Sequence, residues 1–247
     1  MAVFVTTPRL IGAGRIAELT RRVHAAWTQQ STTAAAPITG ERTARCVLRE
    51  EALAADGRAI TELAVEVTDW SVHADTHEHP DTALAGHAYQ LELVQGRPRV
   101  AGAVSAEARR ALELEYAFLG AAEPVDRTAH VIADGSSVRS VGDLVLALLM
   151  RHARGAGGYA PSTLASSTAT LVEVRADGSG RFELALATPP QLAADDRLQL
   201  AGELVLGAHG WPLALALDGS ITSRRASRFE VTTATGGLQL ELAWRYP

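Results

Sequence analysis

Alternation of apolar and polar residues is what most limits the fold open to this chain. In the last third, residues 198–206 place Leu198, Leu200, Leu204 and Leu206 on one parity. Successive side chains of a strand point to opposite faces, so this pattern specifies a strand with one buried face. Residues 169–175, 181–188, 213–217, 229–233 and 238–244 read as further strands. Asp177-Gly178 supplies the turn between the first two of them.

Upstream, the period changes. Ile16, Leu19, Val23 and Trp27 recur at helical spacing, with Arg21 and Arg22 on another face. The expectation is an amphipathic helix over residues 16–27. Residues 28–40 are small and polar, closed by Pro37 and Gly40, and read as a linker. A hairpin follows: residues 42–54, the turn Asp56-Gly57, then residues 60–72 with Leu63, Val65 and Val67 alternating. A third strand covers residues 84–94. Ser105 then caps a helix with the stripe Ala108, Ala111, Leu112, Tyr116 and Leu119, ended by Gly120. On its outer face Arg109 and Glu113 are four apart. Residues 144–150 fit a buried helix or a buried strand. Asp143 before them, with Arg151 and His152 after, favours helix. Residues 155–167 read as a connection.

An internal echo joins these pieces. Ala55-Asp56-Gly57 opens a hairpin and Leu84-Ala85-Gly86 begins the next long strand; Ala176-Asp177-Gly178 and Leu200-Ala201-Gly202 repeat that order. The expectation is an approximate duplication. The fold class expected is α+β and β-rich, with two curved, half-barrel-like antiparallel sheets, each packed with helix. Residues 1–40 form an N-terminal helix and linker, residues 41–125 the first half and residues 126–247 the second.

Composition removes several chemistries. All 23 basic residues are Arg, and the chain contains neither Lys nor Asn. A Schiff-base lysine, a P-loop lysine and an Asn oxyanion donor are therefore impossible. A net charge of -5 with scattered Arg argues against nucleic-acid binding. Arg224, Arg225 and Arg228 are the local exception, read as a solvated loop. Cys46 is the single cysteine and alternates with Ala44 and Leu48, the setting of a buried small hydrophobe rather than a nucleophile. No apolar run approaches the length of a membrane helix. The first residues lack the pattern of a signal peptide, so the chain as written is expected in the cytoplasm. An exported or lipoprotein form is the alternative if a leader was removed.

Residues 84–93 (LAGHAYQLEL) and 104–120 (VSAEARRALELEYAFLG) carry a likeness. Leu84, Gly86 and Tyr89 match a Leu-x-Gly-x-x-Tyr strand opening. Val104, Ser105 and Glu107 approximate a helix start, and Val141, Gly142 and Asp143 match a Val-Gly-Asp-x-Trp turn in which Val145 replaces Trp. In these motifs the chain resembles an uncharacterised bacterial group of predicted lipoproteins, of the kind found in myxobacteria and planctomycetes. The resemblance implies a β-rich two-part fold like the curved half-barrels of lipoprotein carriers, and it supplies no catalytic residue.

Candidate chemistry is sparse. His73, His77 and His79, with His87 nearby and Asp75 as a third ligand, form a possible Zn²⁺ or Cu²⁺ site, since His77 and His79 share a strand face. An exposed polar loop explains the same residues. No G-x-S-x-G occurs, and Gly135-Ser136-Ser137 lacks the elbow pattern. Glu50-Glu51 and Asp195-Asp196 alternate faces and read as hydration rather than as a catalytic pair. Gly12-x-Gly14 and the glycines at 155–158 lack the frame of a dinucleotide site. Trp70, Trp211, Trp244 and Tyr246 serve as core anchors or line an apolar cavity. No catalytic, cofactor-binding or metal residue is assigned, and no cofactor is expected. The function expected is non-enzymatic binding of an apolar small molecule in a sheet-helix cavity, or of a protein partner. The alternative is a metal binder or metal-dependent enzyme built on the loop from His73 to His79.

Overall fold

The computed structural model describes residues 3–7, 10–74, 84–123, 131–133, 135–153, 166–188, 196–226 and 230–247. Its strands are β1 (Val3–Val5), β2 (Ile16–Ser31), β3 (Ile38–Ala55), β4 (Ile60–Ala74), β5 (His87–Val94), β6 (Arg97–Val100), β7 (Val131–Ala133), β8 (Ser166–Val174), β9 (Gly180–Ala187), β10 (Asp196–Leu206), β11 (Pro212–Ala226) and β12 (Val231–Arg245). Two helices complete the described residues, α1 (Ala106–Glu115) and α2 (Arg139–His152). Ten strands form one antiparallel sheet in the order β6-β5-β4-β3-β2-β12-β11-β10-β9-β8, and β1 pairs with β7 apart from it. Every neighbouring pair in the large sheet is consecutive in the chain except β2 and β12, which close the meander at its middle.

One continuous sheet replaces the two expected. The duplication goes with it. Asp56-Gly57 joins β3 to β4, next to the middle of the sheet, whereas Asp177-Gly178 joins β8 to β9 at its edge. Leu84 precedes β5, but Leu200 lies inside β10. The echo is shared turn chemistry. Asp56 Oδ1 accepts from the amides of Arg58 at 2.9 Å and Ala59 at 2.7 Å; Asp177 Oδ1 accepts from the Ser179 amide at 2.9 Å and hydroxyl at 2.7 Å. Gly57 and Gly178 follow at φ +84° and +80°, which L side chains avoid. Helix α1, beside β6, and helix α2, beside β8, pack on this single sheet rather than on a sheet each.

The expected helix over residues 16–27 is strand β2, and the expected linker divides between β2, a short turn and the start of β3. The odd positions of β2 face inward: Ala17, Leu19, Arg21, Val23 and Ala25 are all buried. Arg21 sits where an apolar residue would have made the period of two visible. A buried Arg disguised a strand as a helix.

A ten-stranded sheet cannot bury one face with two short helices unless it curls. Glycines mark where it does. Gly202, Gly219 and Gly236 lie on the inner parity of β10, β11 and β12, each a diagonal step from the next in the ladder register. A Cβ at these positions would overlap the carbonyl oxygens of Ala216, Gln199 and Ala26, respectively. Neighbouring backbones crowd the inner side there, so this line is a crease of the sheet.

Helix α1 starts as expected, with Ser105 Oγ accepting from the Ala108 amide at 3.1 Å. It buries Ala108 and Leu112, and Tyr116 follows them into the core. Arg109 is not a free surface residue: it donates to the carbonyls of Val100 at 2.7 Å and Gly102 at 3.0 Å, anchoring α1 beside edge strand β6. The helical reading of residues 144–150 holds, but α2 begins at Arg139, so Asp143 lies inside it rather than at its cap. Val141, Val145, Leu148 and Leu149 bury its inner face. Gly142 lets α2 approach β8, because a Cβ there would fall 3.0 Å from the Ser167 carbonyl oxygen.

A buried charged cluster as the candidate functional site

The core beneath α2 is not purely apolar. The Glu123 carboxylate, beyond α1, accepts a charge pair from Arg151 of α2 at 2.9 Å and a second from Arg15, just before β2, at 3.5 Å. All three side chains are about nine-tenths buried, at 9–10% exposure. Arg15 lies over the Trp211 ring and Arg151 over Phe118, at 5.6 and 3.4 Å from the ring centroids. Farther along β2, Arg21 makes a bidentate bridge to Glu115 at the end of α1 and lies 5.8 Å from the Trp70 ring centroid.

Between these pairs, the Tyr116 hydroxyl donates to Glu50 of β3 at 2.8 Å. Burial raises the Glu50 carboxyl above its ordinary range against the pull of Arg151, and Glu123 adds to the rise. Burial, then Glu50, holds Tyr116 well above the usual phenol value. Burial, then Arg151 and Arg21, holds His152 well below 6.5. Its ring meets Trp244 edge-on at 5.9 Å between centroids.

A small cavity lies against the Arg15–Glu123–Arg151 group, about 20 Å³, the space of roughly one water. Arg15, Glu50, Glu123, Arg151 and His152 supply its polar wall; Leu19, Leu148, Pro212, Trp244 and Tyr246 supply much of the remainder. Nε of Arg15, Nε of Arg151, Nδ1 of His152 and Nε1 of nearby Trp211 are buried with no hydrogen-bond partner among the described residues.

Sequence reading found the aromatic part of this site and missed the charged part. Trp244 and Tyr246 line the cavity, and Trp211 packs on Tyr246 with centroids 4.7 Å apart. Trp70 is half-buried at the sheet's other charged pair. Glu50 and Glu51 do face opposite ways, but Glu50 is buried rather than hydrated. Arg151 and His152 were legible only as helix C-terminal cations. Cys46 is buried, and desolvation pushes its thiol up to about 12, so it is inert as a nucleophile.

The histidines fall elsewhere. His73 is exposed on β4 opposite Thr43, and His87 is exposed on β5 beside Tyr89. Asp75, His77 and His79 lie outside the described residues. Among the described residues no three His, Cys, Asp or Glu side chains are placed to hold a metal ion. Arg224 and Arg225 belong to β11, not to a loop, and Arg228 lies outside the described residues. The motif residues behind the family likeness hold structure: Leu84 is fully buried, Gly86 turns at φ +79°, and the Tyr89 hydroxyl donates to the Leu84 carbonyl at 3.4 Å. Val141, Gly142 and Asp143 lie in α2 rather than in a turn.

No protein-family model and no curated protein matches this chain. Among solved structures, a lipovitellin structure concerned with lipid–protein interactions aligns with 92% of this chain and 25% of its own, at 5% identity and a TM-score of 0.34. DynF, from the dynemicin biosynthesis pathway of Micromonospora chersina, aligns over 98% of this chain and 85% of its own, at 8% identity and TM-score 0.18. A domain assigned to outer membrane lipoprotein sorting in Vibrio parahaemolyticus aligns over 91% and 85%, at 10% identity and TM-score 0.22. TM-scores this low do not establish a common fold, and no function is transferred from these likenesses. The fold and site define a curled antiparallel β-sheet protein whose inner face encloses a charged cluster. No described helix is long and apolar enough to cross a membrane.

Proposed function

We propose that this chain is a binding protein that holds an apolar small molecule between the inner face of its sheet and helix α2. One observation carries the reading: the cavity beneath α2 joins an apolar and aromatic wall to a few convergent polar side chains. Ligand sites are built in this way, with apolar surface for affinity and sparse polar groups for orientation. Burial displaces Tyr116 and His152 away from neutral pH, whereas the Glu50 carboxyl, raised by burial, is engaged by the Tyr116 hydroxyl.

At about 20 Å³ the cavity holds a polar atom, not a chain, whereas sites for drug-sized ligands run to about 300 Å³ or more. An apolar body would therefore enter by parting α2, which carries Leu148, from the strands that carry Leu19 and Trp244 on the cavity wall. Tryptophan fluorescence reports this directly, because Trp244 lines the site. Titration with an environment-sensitive apolar dye should give saturable dye emission with a coupled change in tryptophan emission, and a ten-carbon aliphatic compound should displace the dye. Failure of both dye and aliphatic compound to bind would overturn the proposal.

A further inference from the structure

We infer that the cavity between Arg15 and Arg151 is the seat of an anionic head group, so the ligand is an amphiphile ending in a carboxylate or a similar small anion. This rests on the binding function proposed above and specifies its ligand class. Two guanidiniums converge on one carboxylate, Glu123, which both already engage. The second carboxyl of the wall, Glu50, accepts instead from Tyr116. What the described residues leave over here is donor capacity: the buried Nε–H groups of Arg15 and Arg151, and the indole N–H of Trp211 against which Arg15 packs. His152 Nδ1 adds a site of either polarity. No carboxylate oxygen of Glu50 or Glu123 is among the buried atoms that lack a partner. A surplus of buried donors is satisfied by an acceptor, and beside two guanidiniums the favoured acceptor is an anion.

The surroundings set the rest of the molecule. Leu19, Leu148 and Trp244 adjoin the same cavity, so a chain attached to the head would run along apolar surface. Its volume suits a head-group oxygen, not a larger polar moiety such as a sugar.

Calorimetric titration of the full chain with sodium decanoate and with 1-decanol tests this, because the two share a tail and differ in head charge. Decanoate should bind about tenfold tighter, the scale of one charge-assisted hydrogen bond. In Arg15→Gln and Arg151→Gln that advantage should shrink severalfold, and Arg151→Lys should restore part of it. Glu123→Gln, which removes the competing carboxylate, should enlarge it. Equal affinity for decanoate and decanol would overturn the head-group assignment and leave apolar binding standing. Binding of neither would overturn both. An advantage that persists in folded Arg15→Gln and Arg151→Gln would place the head elsewhere and refute the site. If those variants fail to fold, Glu123→Gln decides: an unchanged or smaller advantage there refutes it as well.

Discussion

The two faces of the sheet carry the same ion-pair chemistry under opposite conditions. On the outer face Arg45 pairs with Asp69 at 3.1 Å, and Arg22 with Glu241 at 3.5 Å, with every side chain at least 39% exposed. On the inner side Arg151 pairs with Glu123 at 2.9 Å, and both side chains are at most 10% exposed. Distance does not separate them; water does. An outer pair trades hydration for a contact of similar strength and contributes little. An inner pair has already lost its hydration, so each member depends on its partner. The outer charges keep one face wet, and the inner charges weld Arg15, the region after α1 and helix α2 to one another.

The sharpest way to break this contrast is to remove one inner charge. Glu123→Ala strands two buried guanidiniums at once. It should cost about 3–5 kcal/mol, the range for unpairing a buried charge. Chemical denaturation read by circular dichroism measures it. A loss below about 1 kcal/mol would show that water reaches the cluster and that the inner pairs behave like the outer ones.

A second test uses pH. His152 stays neutral in the fold, its proton affinity lowered by burial and then by Arg151 and Arg21. In the unfolded chain the ring protonates below its ordinary value of about 6.5. The unfolded state therefore binds the extra proton, and stability falls as pH drops below about 6.5 toward the folded value. The slope attributable to His152 is at most about 1.4 kcal/mol per pH unit. Glu50 works the other way. Its raised pKa means that the fold binds a proton before the unfolded chain does, adding stability as pH falls through the folded value. Comparing His152→Gln with the unaltered chain isolates the histidine: thermal melts between pH 7.5 and 5.5 should show a flatter acid limb in the variant. Parallel limbs would mean that the ring is protonated in the fold and that its site is wet.

The division between faces also explains what the sequence revealed. Where the inner parity is purely apolar, as in Leu198, Leu200, Leu204 and Leu206, the strand was plain, and local chemistry placed the Asp-Gly turns and the Ser105 cap. Reading failed where inner positions carry charge. Arg21 inside β2 broke the alternation and turned the central strand into an expected helix; Glu50 in β3 was assigned to solvent. Charged residues normally are exposed, so that inference fails only where a distant partner supplies the missing half. Arg21 finds Glu115 94 positions away, and Tyr116 finds Glu50 66 away. No local window contains such pairs. The joining of β2 to β12 at the middle of the sheet is of the same kind, set by chain ends that meet only in the folded state.

The smallest expected effect completes the comparison from the outer side. Arg45 of β3 and Asp69 of β4 lie near the register shift between Val47 and Leu48, half-exposed and across neighbouring strands. Cross-strand charges of this kind contribute about 0.2–1 kcal/mol. Arg45→Ala should cost no more than that, as should Asp69→Ala, and the double substitution should recover only the small coupling between them. Because the pair is open to solvent, its coupling should shrink further when ionic strength rises from about 0.01 M to about 1 M, as the screening length contracts from about 30 Å to about 3 Å. The same salt titration should leave the cost of Glu123→Ala nearly unchanged, since buried pairs are screened much less. A double-mutant cycle at both salt concentrations measures the difference. An outer coupling above about 1.5 kcal/mol, insensitive to salt, would mean that Arg45 and Asp69 are covered in the native protein. The outer face would then be an interface rather than the solvated side of the sheet.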